Sequence, residues 1–151
     1  ALKQLLDNAE EKFGVSLLID CHSMPSQFGS SRLNRGLQNV DIVLGDNHNA
    51  TCAPNVTARA EEILTSSGFK VARNRPYAGG YITQHYGHPE IGCHALQIEI
   101  SRGLYMNERE IERSPKLPSL IRRIRPLIKV ITAIDSELLA PKTRFFSKVA
   151  E

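Results

Sequence analysis

Four short apolar runs alternate with helical patterns along this chain of 151 residues, and the alternation restricts its fold more than any other feature. A strand buried on both faces is a continuous apolar run, whereas an amphipathic helix repeats its apolar residues every three or four positions. The apolar runs are residues 15–19, 40–45, 69–72 and 94–100. Strands separated by helices predict an α/β fold, in which a mostly parallel sheet is flanked by helices.

Three segments have the apolar spacing of amphipathic helices. They are residues 2–13, residues 56–67 and residues 117–138, and Pro126 is expected to kink or divide the third. A glycine follows each of the first two, as is common after a helix. The segments without a helical period are residues 81–83, predicted to be a short strand, residues 27–39, predicted to be a long loop, and residues 142–151.

Composition and charge exclude several classes of protein. Hydrophobic residues make up 41% and charged residues 23%, which predicts one globular domain over residues 1–151. No apolar run approaches the roughly 18 residues of a membrane span, and neither a signal peptide nor a membrane partner is expected. The net charge is only +3, and we interpret the cluster Arg122, Arg123 and Arg125 as a solvated helix face, not a nucleic-acid surface. Three widely separated cysteines predict free thiols and a cytoplasmic protein.

Two polar residues next to or inside predicted strands are candidates for chemistry. His22 follows the first apolar run closely, and Glu99 lies between Ile98 and Ile100. Sites in open α/β sheets form at the carboxyl ends of strands, and burial would raise the pKa of a carboxyl group toward that of a useful acid or base. Both residues also fit structural roles, His22 as a histidine satisfied by its neighbours and Glu99 as a solvent-facing residue of an alternating strand.

Four sequence blocks, in this order, resemble the N-formylglutamate amidohydrolase (deformylase) family. They are LLIDCHSMP at residues 17–25, DIVLGD at 41–46, NRPYAGGYIT at 74–83 with HYG at 85–87, and QIEISRGLYM at 97–106. The blocks are separated and uncommon in wording, so the resemblance is quite specific.

The resemblance implies a zinc-dependent amidohydrolase with a fold akin to that of the zinc carboxypeptidases, a phosphorylase/hydrolase-like fold. The expected substrate is N-formyl-L-glutamate or a similar N-acyl amino acid, and the expected products are glutamate and formate, in a late step of histidine breakdown. His22 would be a zinc ligand, and Glu99 would be the catalytic residue that activates the water.

The two carboxylates of such a substrate require basic or amide donors. The candidates for substrate binding are Asn74, Arg75, Tyr77, Gly79 and Gly80, with Arg32 and Arg35 as further candidates on the long loop. The alternative for the glycine pair is a tight turn without a role in binding.

The chain also departs from the family pattern, and the resemblance implies that it corresponds to the C-terminal portion of the family domain. The N-terminal block with the first two zinc ligands has no counterpart, since no His precedes His22, and the usually basic position after Asp46 is Asn47. We therefore expect weak zinc binding and self-association into a homo-oligomer. Two hypotheses remain open: an amidohydrolase, and a non-catalytic relative that keeps the fold and binds a small carboxylate.

Overall fold

The computed structural model describes residues 1–27 and 39–141. The helices are α1 (Leu2–Phe13), α2 (Pro54–Ser66), α3 (Tyr81–Tyr86) and α4 (Leu117–Thr132). The strands are β1 (Ser16–Met24), β2 (Ile42–Gly45), β3 (Val71–Arg73), β4 (Cys93–Ser101), β5 (Met106–Asn107) and β6 (Glu112–Arg113). Arg32, Arg35, most of the predicted long loop and residues 142–151 lie outside the described residues. In the part that is described, no helix has both the length and the apolar character needed to cross a bilayer.

Four strands form one sheet in the order β1-β4-β2-β3. The pairs β1–β4 and β2–β3 are parallel, whereas β2 runs antiparallel to β4. The predicted α/β fold with a mostly parallel sheet is therefore confirmed, with one antiparallel pairing at the centre. Because of that pairing, the end of β2 lies beside the middle of β4, with Gly45 opposite Gln97.

One face of the sheet is apolar and belongs to the main core. Alternate residues of β2 and β4 are fully or almost fully buried there together with residues of α2 and α4: Ile42, Leu44, Leu96, Ile98, Val56, Ala60, Leu64, Leu120 and Leu127. Burying each large side chain contributes roughly 1.5–3 kcal/mol, so this face is structural. The candidate residues His22 and Glu99 lie on the opposite face.

The first strand is longer in the structure than the sequence predicts. We expected it to end at Ile19, but β1 continues through His22 to Met24 because it pairs with β4 over nine residues. His22 therefore lies inside the strand and not in the turn after it. Helix α1 begins and ends at the predicted residues, and Gly14 after it adopts φ 75°.

One other prediction of secondary structure was wrong, and a second was wrong in part. Residues 81–83 form the first turn of α3, where Gly80 O accepts hydrogen bonds from Thr83 Oγ1 and the Gln84 N–H. Of the two outcomes expected at Pro126, a kink or a division of the helix, division is wrong, because Pro126 lies inside one continuous α4. Leu120 and Leu127, on either side of this proline, are buried in the same core, which holds both halves of the helix in place.

The arginine cluster of α4 is only partly solvated. Arg123 donates from Nε to Ser67 O at 3.0 Å, and its guanidinium lies 3.9 Å from the centre of the Phe69 ring. This side chain therefore caps the end of α2 and packs against an aromatic face. Arg122 and Arg125 are exposed, as predicted for a solvated helix face.

His94 joins two distant parts of the backbone on the apolar side of the sheet. Its Nδ1 accepts from the Ala53 N–H at 3.2 Å, and its Nε2 lies 2.9 Å from Leu139 O. A backbone N–H can only donate and a carbonyl can only accept, so the ring is neutral with its proton on Nε2. Burial lowers the pKa of His94 below its ordinary value of 6.5, although the bond to Leu139 acts in the opposite direction.

We expect the stability of the protein to fall when the pH falls below the ordinary pKa of His94. Because the pKa of His94 is lower in the folded state than in the unfolded state, the unfolded state binds a proton first as the pH falls below about 6.5. This proton uptake favours unfolding, so stability that is present above about pH 6.5 is lost as the pH falls. Urea unfolding at about pH 7 and pH 5 should show a smaller pH dependence for His94→Gln than for the wild type. The exposed His88 supplies the control, His88→Gln. Equal pH dependence in all three proteins would contradict this role.

Candidate active site

Four polar side chains of β1 and β4 share the face of the sheet opposite the core. Asp20 is the register partner of Gln97, and His22 is the register partner of Glu99. Side chains two residues apart on a strand point to the same face, so the four form two adjacent rows. His22 and Glu99 therefore lie side by side on this face, whereas their roles in metal binding and catalysis stay predictions.

Glu99 is a buried carboxyl group held by one strong donor. Its side chain belongs to a residue that is 7% exposed, and Oε1 accepts from Gln97 Nε2 at 2.8 Å. Burial raises the pKa of Glu99, while the His22 imidazole and the hydrogen bond from Gln97 lower it and Asp20 raises it further. A carboxylate in such an environment is suited to accept a proton from water.

His22 lies at the more exposed edge of the same face. Its side chain is 48% exposed, and its Nε2 lies 2.9 Å from Asp20 Oδ2. The buried Asp20 Oδ2 nevertheless has no hydrogen-bond partner among the described residues, so this contact is electrostatic without hydrogen-bond geometry. The contact leaves Nδ1 as the ring nitrogen that does not face Asp20.

Five of the candidate substrate-binding residues lie on one segment, residues 74–80, which we call the strap; Arg32 and Arg35 lie outside the described residues. Asn74 attaches its start to the turn after β2: Oδ1 accepts from the backbone N–H groups of Asp46 at 3.1 Å and His48 at 3.3 Å. Its Nδ2 donates to Asp46 Oδ1 at 2.8 Å. Both polar ends of Asn74 therefore hold the strap in place, and its role in substrate binding stays a prediction.

The far end of the strap contacts the sheet at Ala78 and Gly80. The Gly80 N–H donates to Gln97 Oε1 at 2.8 Å. Gly79 has φ 134°, and a Cβ there would lie 2.6 Å from Thr83 Oγ1. A Cβ on Gly45 of β2 would lie 2.8 Å from the Ala78 carbonyl carbon, so strap and strand touch backbone to backbone. The positive φ of Gly79 and the close approach at Gly45 give these glycines a structural role, and a contact of Gly79 and Gly80 with substrate stays a prediction.

Arg75 and Tyr77 lie between these two attachments. Arg75 is exposed and Tyr77 is partly buried. The strap is therefore fixed at both ends, and its middle carries a cation and an aromatic side chain. Their roles in substrate binding stay predictions.

Sequence reasoning missed two neighbours of the candidate residues, Asp20 and Gln97. The signal was the two-residue spacing, since Asp20 precedes His22 and Gln97 precedes Glu99 by two positions on a strand. Once β1 is known to extend through His22, this spacing alone places each neighbour on the face of its candidate.

The described residues do not by themselves match the zinc site that the family resemblance implies. In residues 1–27 and 39–141, no three His, Cys, Asp or Glu side chains come close enough together to hold a metal ion. A catalytic zinc normally has three protein ligands and one open position. Within this part of the chain, His22 is the one ligand that the resemblance identifies.

Comparison with known proteins agrees with the resemblance. The model of the N-formylglutamate amidohydrolase family matches residues 1–106, and the chain belongs to this family. It is 37% identical over 108 residues to the N-formylglutamate deformylase of Pseudomonas aeruginosa, and the aligned region covers 69% of this chain and 38% of that relative. It is 36% identical over 110 residues to the N-formylglutamate deformylase of Pseudomonas putida, covering 72% of this chain and 40% of that one.

A solved structure shows the same fold. The crystal structure of N-formylglutamate amidohydrolase from Ralstonia eutropha JMP134 matches with a TM-score of 0.73 and 31% identity, over 88% of this chain and 50% of that one. The chain thus spans about two fifths of the length of the curated relatives and half of the solved structure.

Proposed function

We propose that this protein hydrolyses N-formyl-L-glutamate, or a similar N-acyl amino acid, at the face formed by β1 and β4. The observation that carries the proposal is the buried Glu99 carboxyl group, which is held by Gln97 and lies beside His22 in register. The curated relatives are named N-formylglutamate deformylase, which supports the same substrate. A reducing, cytoplasmic location is part of the proposal and is supported by three free cysteines.

Glu99 acts as the general base in the proposed reaction. It takes a proton from a water molecule as the water oxygen forms a bond to the formyl carbon. The proton then passes to the amide nitrogen as the carbon–nitrogen bond breaks, which gives formate and the free amine of glutamate. General-base catalysis of this kind contributes about 10²–10⁴-fold to the rate.

The strap is the proposed substrate-binding segment. Arg75 supplies a positive charge for a substrate carboxylate, since a guanidinium can pair with it through two parallel hydrogen bonds. Tyr77 lies two residues after Arg75 on the strap. The hydrogen bonds of Asn74 and Gly80 hold the two ends of the strap in place. In this arrangement a substrate carboxylate binds to the strap and the formyl group lies beside Glu99.

Zinc is the cofactor that the family resemblance implies, and His22 is the ligand that this chain offers. Because the described residues do not form a three-ligand group, we expect zinc to bind weakly and to be removed readily by a chelator. Loss of the imidazole in His22→Ala should weaken that binding further.

Release of formate tests the proposed function. The chain is incubated with N-formyl-L-glutamate or with N-formyl-L-leucine, each with and without added zinc, and formate is measured enzymatically. We expect formate release from the acidic substrate, at least about tenfold faster than from the neutral one, because only the acidic side chain offers a second carboxylate. No formate above the heat-denatured control under any of these conditions would contradict the proposed hydrolysis.

A second function, binding of a small carboxylate without catalysis, is favoured by one observation. The described residues hold a base and a cationic strap but no group of three metal ligands. Binding of N-formyl-L-glutamate measured by calorimetry, in the absence of formate release, would support this second function.

A further inference from the structure

Gln97 is a buried amide that contacts both halves of the candidate site. The residue is 5% exposed and lies in the middle of β4, between Asp20 of β1 and Gly45 of β2 in register. Its Nε2 donates to Glu99 Oε1 at 2.8 Å, and its Oε1 accepts from the Gly80 N–H at 2.8 Å. One side chain therefore connects the proposed base to the end of the strap.

The chemistry of the two partners fixes the orientation of this amide. The Gly80 backbone N–H can only donate, so it requires the amide oxygen, and an ionised Glu99 can only accept, so it requires the amide nitrogen. Rotating the amide by half a turn would place like groups opposite each other at both ends. The side chain is thus held in one orientation, which a hydrocarbon of the same size could not provide.

The topology of the sheet makes this connection direct. The antiparallel pairing of β2 with β4 puts Gly45 opposite Gln97, and the backbone at Ala78 lies against Gly45. The end of the strap consequently lies above Gln97, one row of side chains away from Glu99. A shift of the strap along the sheet must break the bond between Gly80 and Gln97 or move Gln97 relative to Glu99.

We propose that Gln97 is a positioning residue that fixes the Glu99 carboxyl group and the Gly80 end of the strap with a single amide, so that a substrate bound by the strap is held at a set distance from the base. The inference rests on the proposed function and adds to it the residue that aligns binding with chemistry. Misplacement of reacting groups by about 1 Å can cost roughly 10²-fold in rate, so such a residue has measurable consequences.

Two substitutions separate the two hydrogen bonds. Gln97→Glu keeps an oxygen for the Gly80 N–H but replaces the amide donor to Glu99 by a second carboxyl group, which repels an ionised Glu99 or competes with it for a proton. Gln97→Met has a similar size and removes both bonds. Gln84→Met, the same change at an exposed residue of α3, is the matched control.

Steady-state kinetics of formate release give the first measurement. We expect Gln97→Glu to lower kcat by about tenfold or more with KM within about threefold of the wild type, and Gln97→Met to lower kcat similarly and raise KM by about tenfold. Gln84→Met should match the wild type in both. The proposal would be overturned if Gln97→Glu and Gln97→Met had the same kcat and the same KM as each other. It would also be overturned if neither variant differed from Gln84→Met.

Amide hydrogen exchange at Gly80 gives a second measurement that does not depend on activity. The Gly80 amide should be protected in the wild type and in Gln97→Glu, and should exchange about tenfold faster in Gln97→Met, the factor that corresponds to one net hydrogen bond. Unchanged protection in Gln97→Met would overturn the proposal whether or not formate is released. The expected exchange pattern without any formate release would count against the proposed hydrolysis while supporting the link between Gln97 and the strap.

Discussion

Replacing Glu99 by glutamine is expected to lower the turnover of N-formyl-L-glutamate by about 100-fold or more, while KM stays within about threefold. The glutamine has the same shape, and its oxygen can still accept from Gln97 Nε2, as Glu99 Oε1 does at 2.8 Å. It cannot take a proton from water. The substitution therefore removes the proposed chemistry and retains the geometry.

The control for this substitution is Glu62→Gln on α2. The Glu62 side chain is 63% exposed and pairs with Arg59, away from the site. Turnover measured by formate release should be unchanged in Glu62→Gln. Wild-type turnover in Glu99→Gln would show that another group is the base, and Asp46 would then be the next candidate.

Replacing Asp46 by alanine is expected to lower the free energy of unfolding by about 2–4 kcal/mol. Asp46 is fully buried, and its Oδ1 accepts from the Asn49 N–H at 3.0 Å and from Asn74 Nδ2 at 2.8 Å. Alanine would remove both hydrogen bonds of this buried carboxyl group, and a hydrogen bond to a carboxylate contributes roughly 1.5–3 kcal/mol. The start of the strap would lose its side-chain attachment as well.

Urea unfolding of Asp46→Ala and of Asp7→Ala measures this contribution. The Asp7 side chain is 52% exposed and pairs with Lys3 on α1, and surface pairs of this kind contribute about 0–1 kcal/mol. A loss below about 1 kcal/mol for Asp46→Ala would mean that the contact with Asn74 does not hold the start of the strap. In that case we would also expect KM for the substrate to be unaffected.

Much of the fold follows from local patterns in the sequence. The apolar spacing predicts α1 at its observed residues, because Gly14 marks its end, and the apolar run around Leu96 predicts β4. The length of β1 could not be predicted, since residues 20–23 are polar and are strand only because β4 pairs with them. For the same reason, Pro126 looked like a boundary although core packing on both sides keeps α4 continuous.

The candidate site was predictable in its main pair but not in its connections. His22 and Glu99 were identified from their positions relative to apolar strands, and the parallel pairing of β1 with β4 brings them together. The amide of Gln97 joins Glu99 to Gly80, which lies 17 positions before Gln97 in the sequence. The spacing of residues in the sequence cannot predict that contact. It depends on the antiparallel pairing of β2 with β4 and on the path of the strap across the end of β2.

The most direct test of the central claim is the crystal structure of Glu99→Gln bound to N-formyl-L-glutamate. The variant should retain the ligand because it lacks the base. We predict that the formyl group lies beside the side chain at position 99 and His22, and that a ligand carboxylate contacts the strap at Arg75. Ligand bound elsewhere, or with its formyl group away from position 99, would contradict the assignment of this face of the sheet as the active site.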